Sequence, residues 1–385
     1  EAQRYLDVID VASGEVERLT DDTLVPQAGS VASDLAWSGR RVIFAADRRG
    51  QTGIFAADRR GVEALRSPSG LGGGLTVSTD GRRAAVITSR TDRPAEVSTI
   101  DLDRRRSRRI TRASDEFVAA HDLAGAERFS VRRGEDNVEG WLMHPRGYDP
   151  SRRYPLVLSI HGGPASHFGD AVVPMHQQLA AAGMRVLYVN PRGSTSYGSR
   201  WAAVVNGDWG GGDYEDLMAA VEAAAARDDV DERRLGVYGY SYGGYMSAWI
   251  IGQTNRFRAA VVGAPVIDLS TNFYIDDIGV ALGDIEWRGT PWEQAEHHRE
   301  RSPLTYAGHV ETPVLLMHGE DDLRCPIAGS EAYYTALAYR GHEIEFVRFP
   351  GGSHGFPNNG HPVLRSEYLR RTADWFRRHL GRGRG

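Results

Sequence analysis

Gly239-Tyr240-Ser241-Tyr242-Gly243-Gly244-Tyr245 decides how the chain is read. Arg234-Leu235-Gly236-Val237-Tyr238 before it reads as a short buried strand, and Met246-Ser247-Ala248-Trp249-Ile250-Ile251 after it as the start of a helix. A Gly-x-Ser-x-Gly pentapeptide between a strand and a helix has the form of a nucleophile elbow. The turn is tight, so a side chain at Gly239 or Gly243 would meet the neighbouring backbone. The serine then projects its hydroxyl beside the N-terminus of the following helix, and the backbone N–H of Tyr242 is placed to stabilise an oxyanion. The plainer alternative is a glycine-rich turn with an ordinary serine; the strand–helix setting argues against it.

Outward from the elbow, apolar runs alternate with helical patterns. The strands read as Leu156–Ile160, Val186–Asn190, Leu235–Tyr238, Ala259–Gly263, Val314–Met317 and Glu345–Phe349. The helices read as Asp213–Arg227, Tyr242–Gln253, Gly329–Arg340 and Pro362–Leu380. Phe129-Ser130-Val131 and Gly140-Trp141-Leu142-Met143 lead in as an antiparallel pair. Such alternation predicts an α/β fold with a mostly parallel sheet and helices on both faces. Its chemistry gathers at the carboxyl ends of the strands.

Three of those ends carry suitable groups: Ser241, the turn His318-Gly319-Glu320-Asp321-Asp322, and Gly351-Gly352-Ser353-His354-Gly355-Phe356. The order Ser, Asp, His is that of an α/β-hydrolase. A serine hydroxyl needs a base to take its proton, and a carboxylate to hold that base in one tautomer. His354 is favoured among 13 histidines by its glycine-rich loop after the last strand. His297-His298 lies in a charged stretch and reads as surface, while His161 and His318 end buried strands and read as satisfied core groups. Asp321 and Asp322 compete for the acid, with Glu320 the weaker candidate. A fourth strand end, His161-Gly162-Gly163-Pro164, leaves N–H groups free to approach an oxyanion. Arg192, at the end of the next strand, reads as a partner for a carboxylate.

Residues 1–115 repeat themselves. Gly39-Arg40-Arg41-Val42 recurs as Gly81-Arg82-Arg83-Ala84, and Ile54–Asp58 recurs as Val97–Asp101, with an earlier copy at Leu6–Asp10. The copies close on Leu19-Thr20, Leu65-Arg66 and Ile110-Thr111. The period, about 40 to 45 residues with short alternating strands, is that of a propeller blade. Roughly two to three blades fit, whereas a closed propeller needs about four. The missing blades are therefore expected on an absent or separate segment. The domains predicted are 1–115, the last blades of a β-propeller, and 116–385, an α/β-hydrolase domain.

Composition bounds the partners. The net charge of −5 is mild and gives no sign of nucleic acid. All 46 basic residues are arginine, spread among acids. The lone Cys325 excludes an internal disulfide and suits a reducing, cytoplasmic setting. No run of about 18 apolar residues exists, so no membrane helix is expected.

Taken together, these motifs resemble the prolyl oligopeptidase family of serine peptidases, and within it the acylaminoacyl-peptidase branch. The resemblance rests on His161-Gly162-Gly163-Pro164, Arg192-Gly193-Ser194, Gly239–Tyr245, Asp322-Leu323-Arg324 and Ser353-His354. It is close from about residue 116 onward and loose before that. It implies Ser241 as nucleophile, Asp322 as orienting acid and His354 as base. It also implies an oxyanion hole from the N–H groups of Gly163 and Tyr242, and Arg324 as ligand of a peptide carbonyl on the acyl side. The acid stands two residues before the arginine, which selects Asp322 over Asp321. His161 stands where related branches have tyrosine, and Cys325 where valine is expected. No cofactor and no metal are implied; the partners are short peptides. Phe273, Tyr274 and Ile278 are candidates to wall an apolar substrate pocket, with core packing the alternative for each. A carboxylesterase, a dipeptidyl-, carboxy- or endopeptidase mode, and a non-catalytic binding protein are the competing readings. The oligomeric state stays open, a homo-oligomer included.

Overall fold

The computed structural model describes residues 5–21, 24–26, 35–65 and 70–381. The chain divides into two compact units. One comprises residues 1–126 with 167–173 and 194–203; the other holds the rest.

The first unit is built from short antiparallel strands. Asp7–Ile9 pairs with Val16–Arg18. In a second sheet, Arg41–Arg48 is flanked on one side by Val25–Pro26 and Leu35–Ser38, and on the other by Gln51–Asp58, which pairs with Gly61–Ala64. The third sheet runs Leu71–Val77, Arg83–Arg90, Arg93–Asp101 and Arg106–Arg109. The repeated Gly-Arg-Arg stretches open the matching strands Arg41–Arg48 and Arg83–Arg90. The first pair therefore corresponds to the last two strands of a blade. The hairpin at Arg49-Gly50 has φ of 50° and 67°. That is the type I′ geometry whose twist suits a two-residue connection.

Alternation packs both faces of the middle sheet. Val42, Phe44, Ala46, Phe55 and Ala57 join a cluster with Leu6 and Leu24. Ile43, Ala45, Ile54 and Ala56 join one with Leu75, Ala84, Val86 and Ile100. Period-two side chains thus serve two cores at once, as stacked blades require. Among the described residues there are three such sheets, fewer than the roughly four a closed propeller needs. The middle copy's Arg66 lies outside the described residues.

The second unit is organised by an eight-stranded sheet. Its strands are β1 (Ala126–Arg133), β2 (Asp136–Met143), β3 (Tyr154–Ile160), β4 (Arg185–Asn190), β5 (Val230–Tyr240), β6 (Ala259–Gly263), β7 (Val314–Gly319) and β8 (Ile344–Phe349). Their order is β1-β2-β4-β3-β5-β6-β7-β8. β2 is antiparallel to β4; from β4 onward every pairing is parallel. Every residue of β3, β4, β6 and β7 is buried. That accounts for their mostly apolar composition, since both faces of a parallel sheet are covered. The unit has the α/β-hydrolase architecture.

Helix α1 (Tyr242–Gln253) follows β5 and is almost wholly buried. Helix α2 (Pro362–Leu380) starts with proline at its first position and covers the sheet with Tyr368, Trp375, Phe376 and Leu380. Each such side chain contributes about 1.5–3 kcal/mol by leaving water. Gly236 makes room for it: a Cβ there would lie 2.6 Å from the Phe376 ring.

One expectation fails here. His298 is not a surface residue. The short helix Ala295–Glu300 turns it inward, fully buried, with Nε2 3.1 Å from the Gly289 carbonyl and its ring edge-on to Trp287. The neighbouring charges belong to the opposite face of the same helix. His297 is half-buried, and burial with Arg288 and Arg301 nearby pushes its pKa down to about 4.

Candidate active site

The turn after β5 sets Ser241 at φ 63° and ψ −124°. For a non-glycine residue this conformation costs on the order of 1–3 kcal/mol. Surrounding contacts hold it there: Ser241 N–H donates to Gly263 O at 2.9 Å, and Tyr245 N–H donates to Ser241 O at 2.9 Å. The flanking glycines are sterically required. A Cβ on Gly239 would sit 2.0 Å from Gly243 O, and one on Gly243 would sit 2.3 Å from Ile160 O.

His354 and Asp322 converge on this serine. His354 Nε2 lies 3.0 Å from Ser241 Oγ. His354 Nδ1 lies 2.7 Å from Asp322 Oδ2. The other carboxylate oxygen accepts the N–H groups of Arg324 (3.0 Å) and Cys325 (2.9 Å). Burial opposes ionisation of Asp322. Hydrogen bonds from His318 and His354, the charge of His354 and the Cys325 N–H outweigh it and hold the carboxyl well below the usual range. Asp321 and Glu320 are exposed, and Glu320 pairs with Arg348 at 2.8 Å. The turn thus turns one acid inward and two outward.

His318 is fully buried, bonded to Ser330 Oγ (2.7 Å) and the Cys325 carbonyl (2.6 Å). His161 is buried, with Nδ1 2.7 Å from Gly162 O. Arg192 is paired with Asp216 at 2.8 Å and 2.9 Å. Tyr240 sets its ring 5.3 Å from that of His354, backing the imidazole.

A cavity of about 440 Å³ opens over Ser241 and His354. Gly162, Gly163 and Tyr242 line it at the serine, and Arg324 and Cys325 beside the acid. Gly163 has φ 124°, and a Cβ there would lie 2.6 Å from Ala165 N. Gly162 approaches within 3.5 Å of the Ser241 Cβ, measured from where its own Cβ would be. Arg324 is held at the rim by Asp277, Nε to Oδ1 at 2.6 Å.

Of the three pocket candidates, Ile278 lines the cavity. Phe273 and Tyr274 are not among its lining residues. Phe273 is buried edge-on to Trp292 at 5.7 Å, and Tyr274 is 62% exposed and stacked on Trp292. Both belong to the helix Leu269–Ile275. The apolar walls come instead from Trp209, Tyr242, Val266, Ile278 and Leu282. Trp209 was not foreseen. Its signal is the stretch Asn206-Gly207-Asp208-Trp209-Gly210-Gly211-Gly212-Asp213, a lone aromatic among glycines. Among the described residues, no group of three or more His, Cys, Asp or Glu is arranged to hold a metal ion, and no helix is long and apolar enough to cross a membrane.

Comparison with known proteins identifies the family. The Prolyl oligopeptidase family profile matches residues 173–383. An uncharacterized peptidase of Bacillus subtilis, YuxL, is 42% identical over 308 residues, covering 79% of this chain and 47% of the relative. The acylamino-acid-releasing enzyme of Rattus norvegicus is 29% identical over 265 residues, covering 66% of this chain and 35% of that enzyme. The Pyrococcus horikoshii acylaminoacyl peptidase superposes with a TM-score of 0.88 at 25% identity, over 97% of this chain and 59% of that one. An acylaminoacyl peptidase in complex with Z-Gly-Gly-Phe-chloromethyl ketone gives 0.88 at 26%, with the same coverage. The chain spans about half, or less, of the curated relatives it matches. With more than half of its own length matched by the family profile, the chain belongs to the prolyl oligopeptidase family.

Proposed function

We propose that the Ser241 centre is that of a serine peptidase cleaving short peptides, with an acylaminoacyl-peptidase-like preference for substrates blocked at the N-terminus. The observation that carries the reading is the unbroken line from Ser241 Oγ through His354 to Asp322, at 3.0 Å and 2.7 Å. His354 Nε2 takes the Ser241 proton as Oγ attacks the scissile carbonyl. The oxyanion receives the N–H groups of Tyr242 and Gly163. His354 then protonates the leaving amine, leaving an ester on Ser241. A water, deprotonated by the same imidazole, releases the acid. Asp322, held ionised, keeps Nδ1–H in place and stabilises the imidazolium.

Arg324, braced by Asp277, binds a carbonyl of the acyl half. The walls Trp209, Val266, Ile278 and Leu282 receive an apolar side chain before the scissile bond. That names the residue class but not one residue. The likeness to an acylamino-acid-releasing enzyme and to an acylaminoacyl peptidase supports the blocked-end preference. The single cysteine, a free buried thiol, supports a cytoplasmic setting.

The test compares three substrates on one preparation: an N-acetylated amino-acid anilide, the same anilide with a free amine, and a short nitrophenyl ester. The reading expects turnover of both the ester and the blocked anilide, with the blocked anilide preferred over the free one. Ester turnover without either anilide makes the protein a carboxylesterase. Preference for the free amine overturns the blocked-end assignment.

A further inference from the structure

We infer that Asp213 is a positioning residue for the Ser241 centre, acting through the Tyr242 side chain. The inference rests on the peptidase reading above. Asp213 has no exposed surface. Its Oδ2 accepts the Tyr242 hydroxyl at 2.6 Å and the Gly210 N–H at 3.2 Å, and its Oδ1 accepts the Tyr214 N–H at 2.8 Å. Every one of these donors is neutral. Burial pushes the carboxyl pKa up to about 6, against the pull of those donors. Arg192, itself paired with Asp216, acts on it only through its charge. A buried carboxylate hydrogen-bonded to neutral donors alone is an expensive way to hold two elements together, and an apolar pair of similar volume is often no worse for stability. What such a group adds is direction: it fixes one geometry among several that packing would tolerate.

The geometry fixed here belongs to the residue after the nucleophile. Tyr242 opens helix α1, and its N–H is the one assigned to the oxyanion. Its ring is held edge-on by Trp209 at 5.0 Å and stacked on Tyr245 at 6.1 Å, with the hydroxyl pinned at the far end by Asp213. Trp209 sits on the glycine-rich loop that leads into the helix Gly212–Ala225, whose first turn carries Asp213, and the Trp209 Nε1 donates to Glu286 at 3.0 Å. One loop and the first helical turn it leads into therefore supply a wall of the cavity and the anchor of the elbow. The elbow backbone is strained at Ser241, so it needs such external fixing to stay in place. An oxyanion donor displaced by a few tenths of an ångström loses most in the transition state and little in substrate binding.

The test uses Tyr242→Phe, Asp213→Asn and the double variant, with blocked-anilide kinetics and the affinity of a peptide aldehyde that forms a hemiacetal on Ser241. Each single variant is expected to lower kcat by about tenfold or more, with KM held within about twofold, and to weaken the aldehyde in step with kcat/KM. The double variant should be no worse than the worse single one, because both remove one interaction. Losses confined to KM, aldehyde binding within about twofold of wild type, or losses that multiply in the double variant would overturn the inference. Tyr242→Phe removes one buried hydroxyl and keeps the ring, so it carries the test by itself should Asp213→Asn fail to fold. A wild-type protein that turns over neither anilide nor aldehyde-sensitive ester would instead overturn the peptidase reading.

Discussion

Asp322 Oδ2 lies 2.7 Å from His354 Nδ1, while Asp321, its neighbour in the same turn, is exposed. Two chemically identical side chains one residue apart therefore stand in opposite environments. Asp322→Asn keeps the shape but offers the imidazole an amide, which favours the wrong tautomer. The expected loss in kcat is about ten-thousand-fold. Asp321→Asn should stay within about threefold, as exposed substitutions usually do. Steady-state kinetics on the two variants checks this; the reverse order would place the acid elsewhere.

The elbow glycines make a second prediction. A Cβ at position 243 would lie 2.3 Å from Ile160 O and 2.9 Å from His161 O, both backbone atoms of the strand end beside it. Gly243→Ala should therefore cost more than about 4 kcal/mol, or force the elbow open. Thermal melting and active-serine labelling report the two outcomes. A variant with wild-type melting and labelling would mean that the turn is looser than described.

Much of this was legible in the sequence. Ala259–Gly263, Tyr242–Gln253 and Pro362–Leu380 have the bounds their patterns gave, because a fully buried strand and a capped or elbow-started helix end abruptly in sequence. Ser241, His354 and the acidic turn 320–322 could be named from strand ends alone, since a parallel sheet brings those ends to one edge; the choice of Asp322 within that turn comes from the family resemblance. The cavity walls could not be so named. Val266, Leu282 and Trp209 come from loops and short helices whose paths depend on packing, and nothing local separates a Phe273 that packs on Trp292 from an Ile278 that lines the cavity. His298 was misplaced for a related reason: a six-residue helix with one buried position has too few turns to show a period.

Arg324 supplies a third prediction. Its guanidinium is fixed by Asp277, with Nε 2.6 Å from Oδ1. If it binds a peptide carbonyl equally in the ground and transition states, Arg324→Ala should raise KM with little change in kcat. A charged hydrogen bond is worth about 1.5–3 kcal/mol, or roughly ten- to hundred-fold. Asp277→Asn should give a smaller shift of the same kind. A fall in kcat at unchanged KM would assign the arginine to the chemical step instead.

The blades offer a pH prediction. Glu96 accepts bonds from the Ser114 hydroxyl at 2.6 Å, the Thr111 hydroxyl, the Ser114 N–H at 2.8 Å and the Ala113 N–H at 3.3 Å. Led by the Ser114 hydroxyl, these pull its pKa from 4.5 down to about 2. A carboxyl depressed by folding adds stability that is complete above its unfolded value and fades as the pH falls through the folded one. Denaturation midpoints of wild type and Glu96→Gln should therefore differ most above about pH 5 and converge toward pH 2. A gap that is constant with pH would mean that the carboxylate charge is not what these donors hold.

The account stands or falls on Ser241 as the nucleophile. Its replacement by alanine should cost about a million-fold in rate and leave the fold intact. The most direct measurement is mass-spectrometric mapping of the adduct formed with a serine-directed fluorophosphonate. The account predicts one adduct, on Ser241, whose formation slows severely in His354→Ala. No adduct on folded protein, or an adduct on another residue, would contradict it.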